Sequence, residues 1–117
     1  MIYSVEEIEL TLKLYSIAKL HIKELENYLY LKQNKECKKY FYYQHIVNVV
    51  DSWFEILFPD EVELLMMRIY SKKTFDFISI QLGYANHSSV IRKYKQIILK
   101  IKKNSEFNLY VWFYWKN

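Results

Sequence analysis

Residues 74–101, TFDFISIQLGYANHSSVIRKYKQIILKI, contain the pattern that decides the fold. Thr74 can cap a short helix, and Gly83, the only glycine in the chain, comes where that helix would end in a left-handed conformation. Asn86 can then cap a second helix. Two helices joined by a turn of about four residues that contains glycine form a helix-turn-helix, so this stretch predicts that motif.

The second helix of the motif is predicted to have separate apolar and polar faces. Its buried stripe would consist of Val90, Tyr94, Ile97, Ile98 and Ile101. Its polar side chains follow steps of three and four and form a continuous stripe of Ser89, Arg92, Lys93, Gln96 and Lys100, with His87 and Ser88 at the N-terminal tip. The DNA major groove admits one helix, which contacts bases mainly near its N-terminus. The polar stripe therefore predicts a DNA-reading helix, in which Arg92 can pair with guanine and Gln96 with adenine.

Serines and lysines around this stripe are candidates for contacts to the DNA backbone. Ser88 and Ser89 can reach phosphates or base edges, and the free N–H groups at the helix start favour an anion. The basic candidates are Lys72, Lys73, Lys95, Lys100, Lys102 and Lys103. A merely hydrated surface position explains any one of these residues, but the whole set, behind a glycine turn, favours DNA binding.

The charge distribution also favours a polyanionic partner for the C-terminal half. Residues 60–117 contain ten Lys or Arg against five Asp or Glu, whereas residues 1–59 contain seven against eight. A positive field confined to one half of a chain attracts polyanions such as DNA. The alternative is a lysine-rich surface that only contacts solvent.

A long helix is predicted from Ser4, which has capping-box spacing to Glu7, as far as about Lys32. One seam of this helix repeats every seven residues, at Ile8, Tyr15, Ile22 and Leu29. A second apolar stripe contains Leu10, Leu14, Ile17 and Tyr28. A helix that is apolar on two sides touches two partners. One would be the next helix, and the other either the DNA-binding unit or a second copy of the chain.

The remaining elements complete an all-α protein. After the polar turn Gln33-Asn34-Lys35, a second helix over 36–57 would pack against the first as an antiparallel hairpin. Pro59 begins a third helix, which ends near Tyr70, and Asp60 with Glu63 forms its candidate capping box. We thus predict a long N-terminal helical hairpin (1–58), a C-terminal three-helix helix-turn-helix unit (59–103) and an aromatic tail (104–117).

The tail has two interpretations. The period-two alternation of an aromatic-rich segment is typical of a strand. Here one set, Phe107, Leu109, Val111, Phe113 and Trp115, alternates with Asn108, Tyr110, Trp112, Tyr114 and Lys116. A strand without a partner in its own chain must pair with another molecule. We favour a helix or irregular packing against the hairpin.

Several function classes are not expected. His21, His45 and His87 are scattered without nearby ligands, so we expect no metal, and Cys37 lies about 12 Å along a helix from His45, too far for a nucleophile and base. A chain with one glycine has no phosphate-binding glycine loop, so we expect neither cofactor nor enzyme activity. The acidic N-terminus does not resemble a secretory signal, and no stretch is long enough to span a membrane, which together with the single cysteine favours a cytoplasmic protein.

Residues 59–102 resemble the helix-turn-helix in the fourth region of bacterial sigma factors, and more closely that of the ArpU/RinA-like group of small phage transcription regulators. The resemblance rests on Glu63-Leu64-Leu65, Met67-Arg68-Ile69-Tyr70, Lys73-Thr74-Phe75, Ile78, Ile80, Leu82-Gly83-Tyr84, Ser88-Ser89-Val90, Arg92 and the tail from Lys95 to Ile101. It implies sequence-specific binding of double-stranded DNA near a promoter, with Ser88, Ser89, Arg92, Lys93 and Gln96 facing the groove.

Three hypotheses follow. The first is a phage or prophage transcription regulator that binds DNA, with RNA polymerase as a further candidate partner, and recruits without performing chemistry. The second is a DNA-recognising phage assembly protein, such as a packaging small subunit, which would form large rings. The third is a protein-interaction module whose helix-turn-helix does not contact DNA. A homodimer is compatible with the first.

Overall fold

The computed structural model describes the backbone of residues 3–32 and 38–116, and the side chains of residues 3–28 and 38–106. Within those ranges all regular structure is helical, which confirms the all-α prediction. The helices are α1 (Val5–Lys32), α2 (Lys38–Glu55), α3 (Pro59–Leu65), α4 (Phe75–Leu82) and α5 (His87–Lys116). A π-helical segment, Met66–Tyr70, continues α3.

The N-terminal hairpin has the predicted start and direction. The backbone N–H of Ser4 donates to Glu7 Oε1 at 3.1 Å, and the N–H of Glu7 donates to Ser4 Oγ at 3.1 Å, which confirms the capping box. Contacts between α1 and α2 run in opposite order along the two helices. Tyr15 pairs with Asp51, whereas Glu26, further along α1, bonds with Tyr40, near the start of α2. The helices are therefore antiparallel; the predicted turn at 33–35 lies outside the described residues.

The start of α3 differs from the prediction. Phe58, not Asp60, is the residue before the helix, and its N–H donates to Glu61 Oε1 at 2.9 Å. Asp60 and Glu63 are both exposed. The predicted capping box was wrong because Pro59 occupies the first helical position, which makes Glu61 the third and gives its carboxylate the reach back to Phe58.

The inner side of α1 joins the hairpin to the rest of the chain. The Tyr70 hydroxyl donates to the backbone oxygen of Leu12 at 2.6 Å, and the Tyr94 hydroxyl donates to Glu9 Oε2 at 2.8 Å. Burial, together with the Glu9 carboxylate, raises the pKa of Tyr94, so its hydroxyl remains protonated and can donate. Since α1 packs against both α2 and α5, the helix-turn-helix unit has a defined position on the hairpin.

One continuous core connects these elements. Its fully buried side chains come from every helix, among them Ile8, Leu12, Val50, Leu64, Leu65, Ile78, Val90, Ile97, Ile98 and Ile101. The predicted stripe of α5 contributes, as do Ile8, Tyr15 and Ile22 of the predicted seam of α1; the side chain of Leu29 lies outside the described residues. Of the second apolar stripe of α1, Leu14 is half-buried against the core, whereas Leu10, Ile17 and Tyr28 are exposed.

The tail is helical. Helix α5 continues without a break to Lys116, so the strand interpretation was wrong and the helical one is confirmed. Side-chain packing of residues 107–117 lies outside the described part of the chain. Among the described helices, none has both the length and the apolar character that membrane crossing requires.

Candidate nucleic-acid interface

Local hydrogen bonds build the turn between α4 and α5. Thr74 Oγ1 accepts from the N–H of Phe77 at 3.1 Å, as a cap of α4. Gly83 has φ +77° and ends that helix in the left-handed conformation, as predicted. Asn86 Oδ1 accepts from the N–H of Ser89 at 3.0 Å and so caps α5. The predicted helix-turn-helix is therefore present, and short-range contacts define its turn.

The first three turns of α5 present a polar face to solvent. Ser88, Arg92 and Gln96 are exposed, and the opposite side of the helix is buried through Val90 and Ile97. Among the described residues, Arg92 and Gln96 have no side-chain hydrogen bond or ion pair. These two side chains are therefore free to contact a ligand without breaking an interaction of the protein.

Two of the predicted contact residues at the tip of α5 are oriented by neighbours. The Ser89 hydroxyl donates to Asn86 Oδ1 at 3.2 Å and lies half-buried, so it supports the cap. His87 Nδ1 lies 3.2 Å from Asp76 Oδ1 and links the start of α5 to α4. The Asp76 carboxylate beside His87 disfavours an approaching phosphate at this point of the helix start.

Lys93 and Lys100 do not belong to the exposed face. Lys93 Nζ lies 3.1 Å from Glu61 Oε2, and Lys100 Nζ lies 2.9 Å from Glu61 Oε1. One carboxylate from α3 thus holds two ammonium groups that are seven residues apart on α5. The expected continuous stripe is split, because the side that carries Lys93 and Lys100 packs toward α3. Sequence periodicity predicts on which side of a helix a residue lies, but not which element packs against that side.

The ionisation of Glu61 fits this role. Burial alone would raise the pKa of its carboxyl group. The N–H of Phe58 and the ammonium groups of Lys100 and Lys93 outweigh that effect, so the pKa of Glu61 lies below its ordinary value. At neutral pH the site therefore holds a buried carboxylate with two cationic partners. Glu61 was not among the predicted capping or contact residues; its position three residues after Phe58 was the signal for the capping role.

The link before α4 contains the other two predicted basic residues. Lys72 is exposed and adopts a left-handed backbone conformation, φ +53°. The ammonium of Lys73 lies 4.9 Å from the centre of the Phe77 ring. Arg68, whose role was not predicted, donates from Nη1 to the Lys73 backbone oxygen at 3.0 Å and lies 3.9 Å over the Phe75 ring. Arg68 thus holds the link against α4, and no sequence pattern indicated this.

The lysines expected to contact phosphates differ in availability. Lys95 and Lys103 are exposed and form no ion pair within the described part of the chain. Lys102 is bonded to Glu106, four residues further along α5. Lys95 and Lys103 are therefore the better candidates for contacts with phosphates of a DNA backbone.

Side chains that could bind a metal ion do not cluster in the described part of the chain. Within residues 3–32 and 38–116, no three His, Cys, Asp or Glu side chains lie where they could hold a metal ion. His21 stacks on Tyr43 and pairs with Glu24, and His45 is exposed. Cys37 lies outside the described residues.

Comparison of the chain with protein-family models, with curated proteins and with solved structures found no match.

Proposed function

We propose that this protein binds specific sequences of double-stranded DNA through α5 and regulates transcription, as the resemblance to ArpU/RinA-like phage regulators implies. The observation that supports this most is the exposed pair Arg92 and Gln96 on the first turns of a helix that follows a capped glycine turn; neither side chain has a partner among the described residues. Such a helix start is what enters a major groove in helix-turn-helix proteins. The proposed mechanism is recruitment, without a chemical step.

The spacing of the two reading residues suits bases about two steps apart on the duplex. Residues four apart on a helix are separated by about 6 Å along its axis. Neighbouring base pairs are separated by about 3.4 Å. Arg92 and Gln96 can thus address bases about two steps apart, the arginine pairing with guanine and the glutamine with adenine.

The charge of α5 supplies the sequence-independent part of binding. Between His87 and Glu106 the helix carries six Lys or Arg and a single acid, Glu106. Glu61 offsets Lys93 and Lys100, and Glu106 pairs with Lys102, which leaves Arg92, Lys95 and Lys103 as the free cations among the described side chains of α5. Contacts of this kind position a protein on the duplex and make its affinity depend on salt.

Selection from a random-sequence duplex pool at two salt concentrations tests the proposal. Wild-type protein should enrich one sequence motif, and the Arg92→Ala, Gln96→Ala double variant should enrich none. Lys39→Ala, which removes an exposed cation from α2, is the matched control and should select the wild-type motif. If wild type bound all duplexes equally, the sequence-specific role would be refuted.

RNA polymerase is the proposed second partner. Ile80 is 79% exposed on α4, and Phe77 on the same helix is also exposed. Large apolar side chains on a surface beside a DNA-binding face are suited to contact a protein rather than phosphates.

The variant Ile80→Asp tests this contact in a reconstituted transcription assay on a template with the selected site. It should bind the site within about twofold of wild type and lose the effect on transcript yield. Phe41→Asp, which changes an exposed apolar residue on α2, is the control and should keep the effect. If Ile80→Asp acted like wild type, the polymerase contact on α4 would be refuted.

A further inference from the structure

The outer side of α1 carries a second heptad pattern that no other described element covers. We call it the outer stripe: Glu6, Leu10, Lys13, Ile17, Leu20, Glu24 and Asn27. Its members follow alternating steps of four and three, the spacing of the core positions in a coiled coil. All seven are exposed, and the apolar ones strongly so, with Leu10 at 57%, Ile17 at 48% and Leu20 at 58%.

We propose that the outer stripe binds the same stripe of a second copy of this chain, in antiparallel orientation. This interaction goes beyond the proposed DNA binding. In an antiparallel helix pair, the two residues of each layer have position numbers with a constant sum. When the two position numbers of each layer add up to 37, Ile17 of each copy faces Leu20 of the other in the two central layers. Ile17 and Leu20 of both copies thereby meet at the two-fold axis, and Leu10 of each copy faces Asn27 of the other.

The charges of the stripe support this register. The same sum pairs Lys13 of each copy with Glu24 of the other, on both sides of the apolar layers. A parallel pair would instead place Lys13 against Lys13 and Glu24 against Glu24, which like charges disfavour. Lys13 has no ion pair within the described part of the chain, and Glu24 contacts only the half-buried His21. Both charged groups are therefore available to a partner.

The interface also suits the position of the helix-turn-helix unit. That unit bonds with α1 at Glu9 and Leu12 and contacts it at Tyr15, all on one side of the two-fold axis between residues 18 and 19. In the dimer the two units lie toward opposite ends of the paired α1 helices. A protein with this symmetry reads DNA sites with two-fold symmetry.

Charge exchange tests the proposal in the absence of DNA, so its failure is separate from any failure of DNA binding. Light scattering coupled to size exclusion should show wild type at twice 14.5 kDa when concentrated. Lys13→Glu and Glu24→Lys should each weaken association by at least about tenfold, because each places like charges in two layers. An equimolar mixture of the two variants, and the Lys13→Glu, Glu24→Lys double variant, should both recover the dimer.

The controls separate loss of association from loss of fold. Lys39→Glu makes the same charge change on α2 and should leave the dimer intact. Circular dichroism should show wild-type helicity for every variant. The proposal would be overturned by wild type that remains monomeric to concentrations on the order of 1 mM. It would equally be overturned by a dimer that the single charge changes leave intact, or by variants that fail to associate when mixed.

Discussion

The substitution Glu61→Gln should destabilise the protein by about 2 kcal/mol. The amide keeps the size of the side chain and can still accept from the N–H of Phe58, but it leaves Lys93 and Lys100 without a counter-charge. Breaking a fully buried pair costs about 3–5 kcal/mol, whereas an exposed pair contributes about 0–1 kcal/mol. The lysine side chains are 31% and 37% exposed and can turn toward water, so the cost lies between these limits.

Urea denaturation followed by circular dichroism at neutral pH measures this loss. With a typical slope for a small domain, a change of about 2 kcal/mol lowers the midpoint by roughly 1 M. Glu63→Gln is the matched control, since Glu63 is an exposed carboxylate on the same helix without a described partner, and it should behave as wild type. If both variants unfolded within about 0.5 kcal/mol of wild type, the structural role assigned to Glu61 would be refuted.

The same substitution, Glu61→Gln, should strengthen DNA binding although it destabilises the fold. Without Glu61, Lys93 and Lys100 can turn toward the duplex, and the protein gains one unit of net positive charge. The slope of the logarithm of affinity against that of salt concentration should then steepen by up to about 0.9 for each additional phosphate contact. An unchanged slope would show that these two lysines cannot reach DNA.

Four other predictions concern stability. The pKa of Glu61 is below its ordinary 4.5, so its contribution is complete above that pH and is lost as pH falls through the lower folded value. The difference in unfolding free energy between wild type and Glu61→Gln should therefore shrink between about pH 7 and about pH 3; a constant difference would contradict this. Gly83→Ala should cost about 1–2 kcal/mol from backbone strain alone, since a Cβ there meets no atom within 4 Å, and Gly83→Asn should cost less by the same urea assay. Asn86→Ala should cost about 1 kcal/mol through loss of the α5 cap, detected as a lower melting temperature. Tyr70→Phe removes the hydrogen bond to the Leu12 carbonyl and should cost roughly 1–2 kcal/mol in the same melt; wild-type stability would show that this bond does not hold the hairpin to the helix-turn-helix unit.

Features that depend on a few neighbouring residues were predictable. The caps at Ser4, Thr74 and Asn86 and the left-handed Gly83 are all present, because each depends on the chemistry of one side chain and the backbone within three or four residues. The all-α class followed for the same reason. The predicted capping box of α3 was wrong because two acids satisfy the same spacing. Glu61 lies three residues after Phe58, and Glu63 lies three residues after Asp60. Only the placement of Pro59 at the first helical position distinguishes the two possibilities.

Features that depend on which elements pack together were not predictable. Helical periodicity placed Lys93 and Lys100 on a polar side of α5, but Glu61, more than thirty residues away in the chain, decides what they contact. In the same way, the two apolar sides of α1 indicated two partners without assigning them. The structure gives the inner side to α2 and α5, and leaves the outer stripe exposed.

The most direct test of the central claim measures affinities for the selected duplex and its single-base variants, for wild type, Arg92→Ala and Lys103→Ala. If α5 reads the major groove, Arg92→Ala should lose about 1–3 kcal/mol on the selected site and no longer distinguish bases at one position. Lys103→Ala should weaken binding to every duplex equally and reduce the salt slope by about 1. Equal losses from both variants on all duplexes would contradict a reading helix and leave only a basic surface.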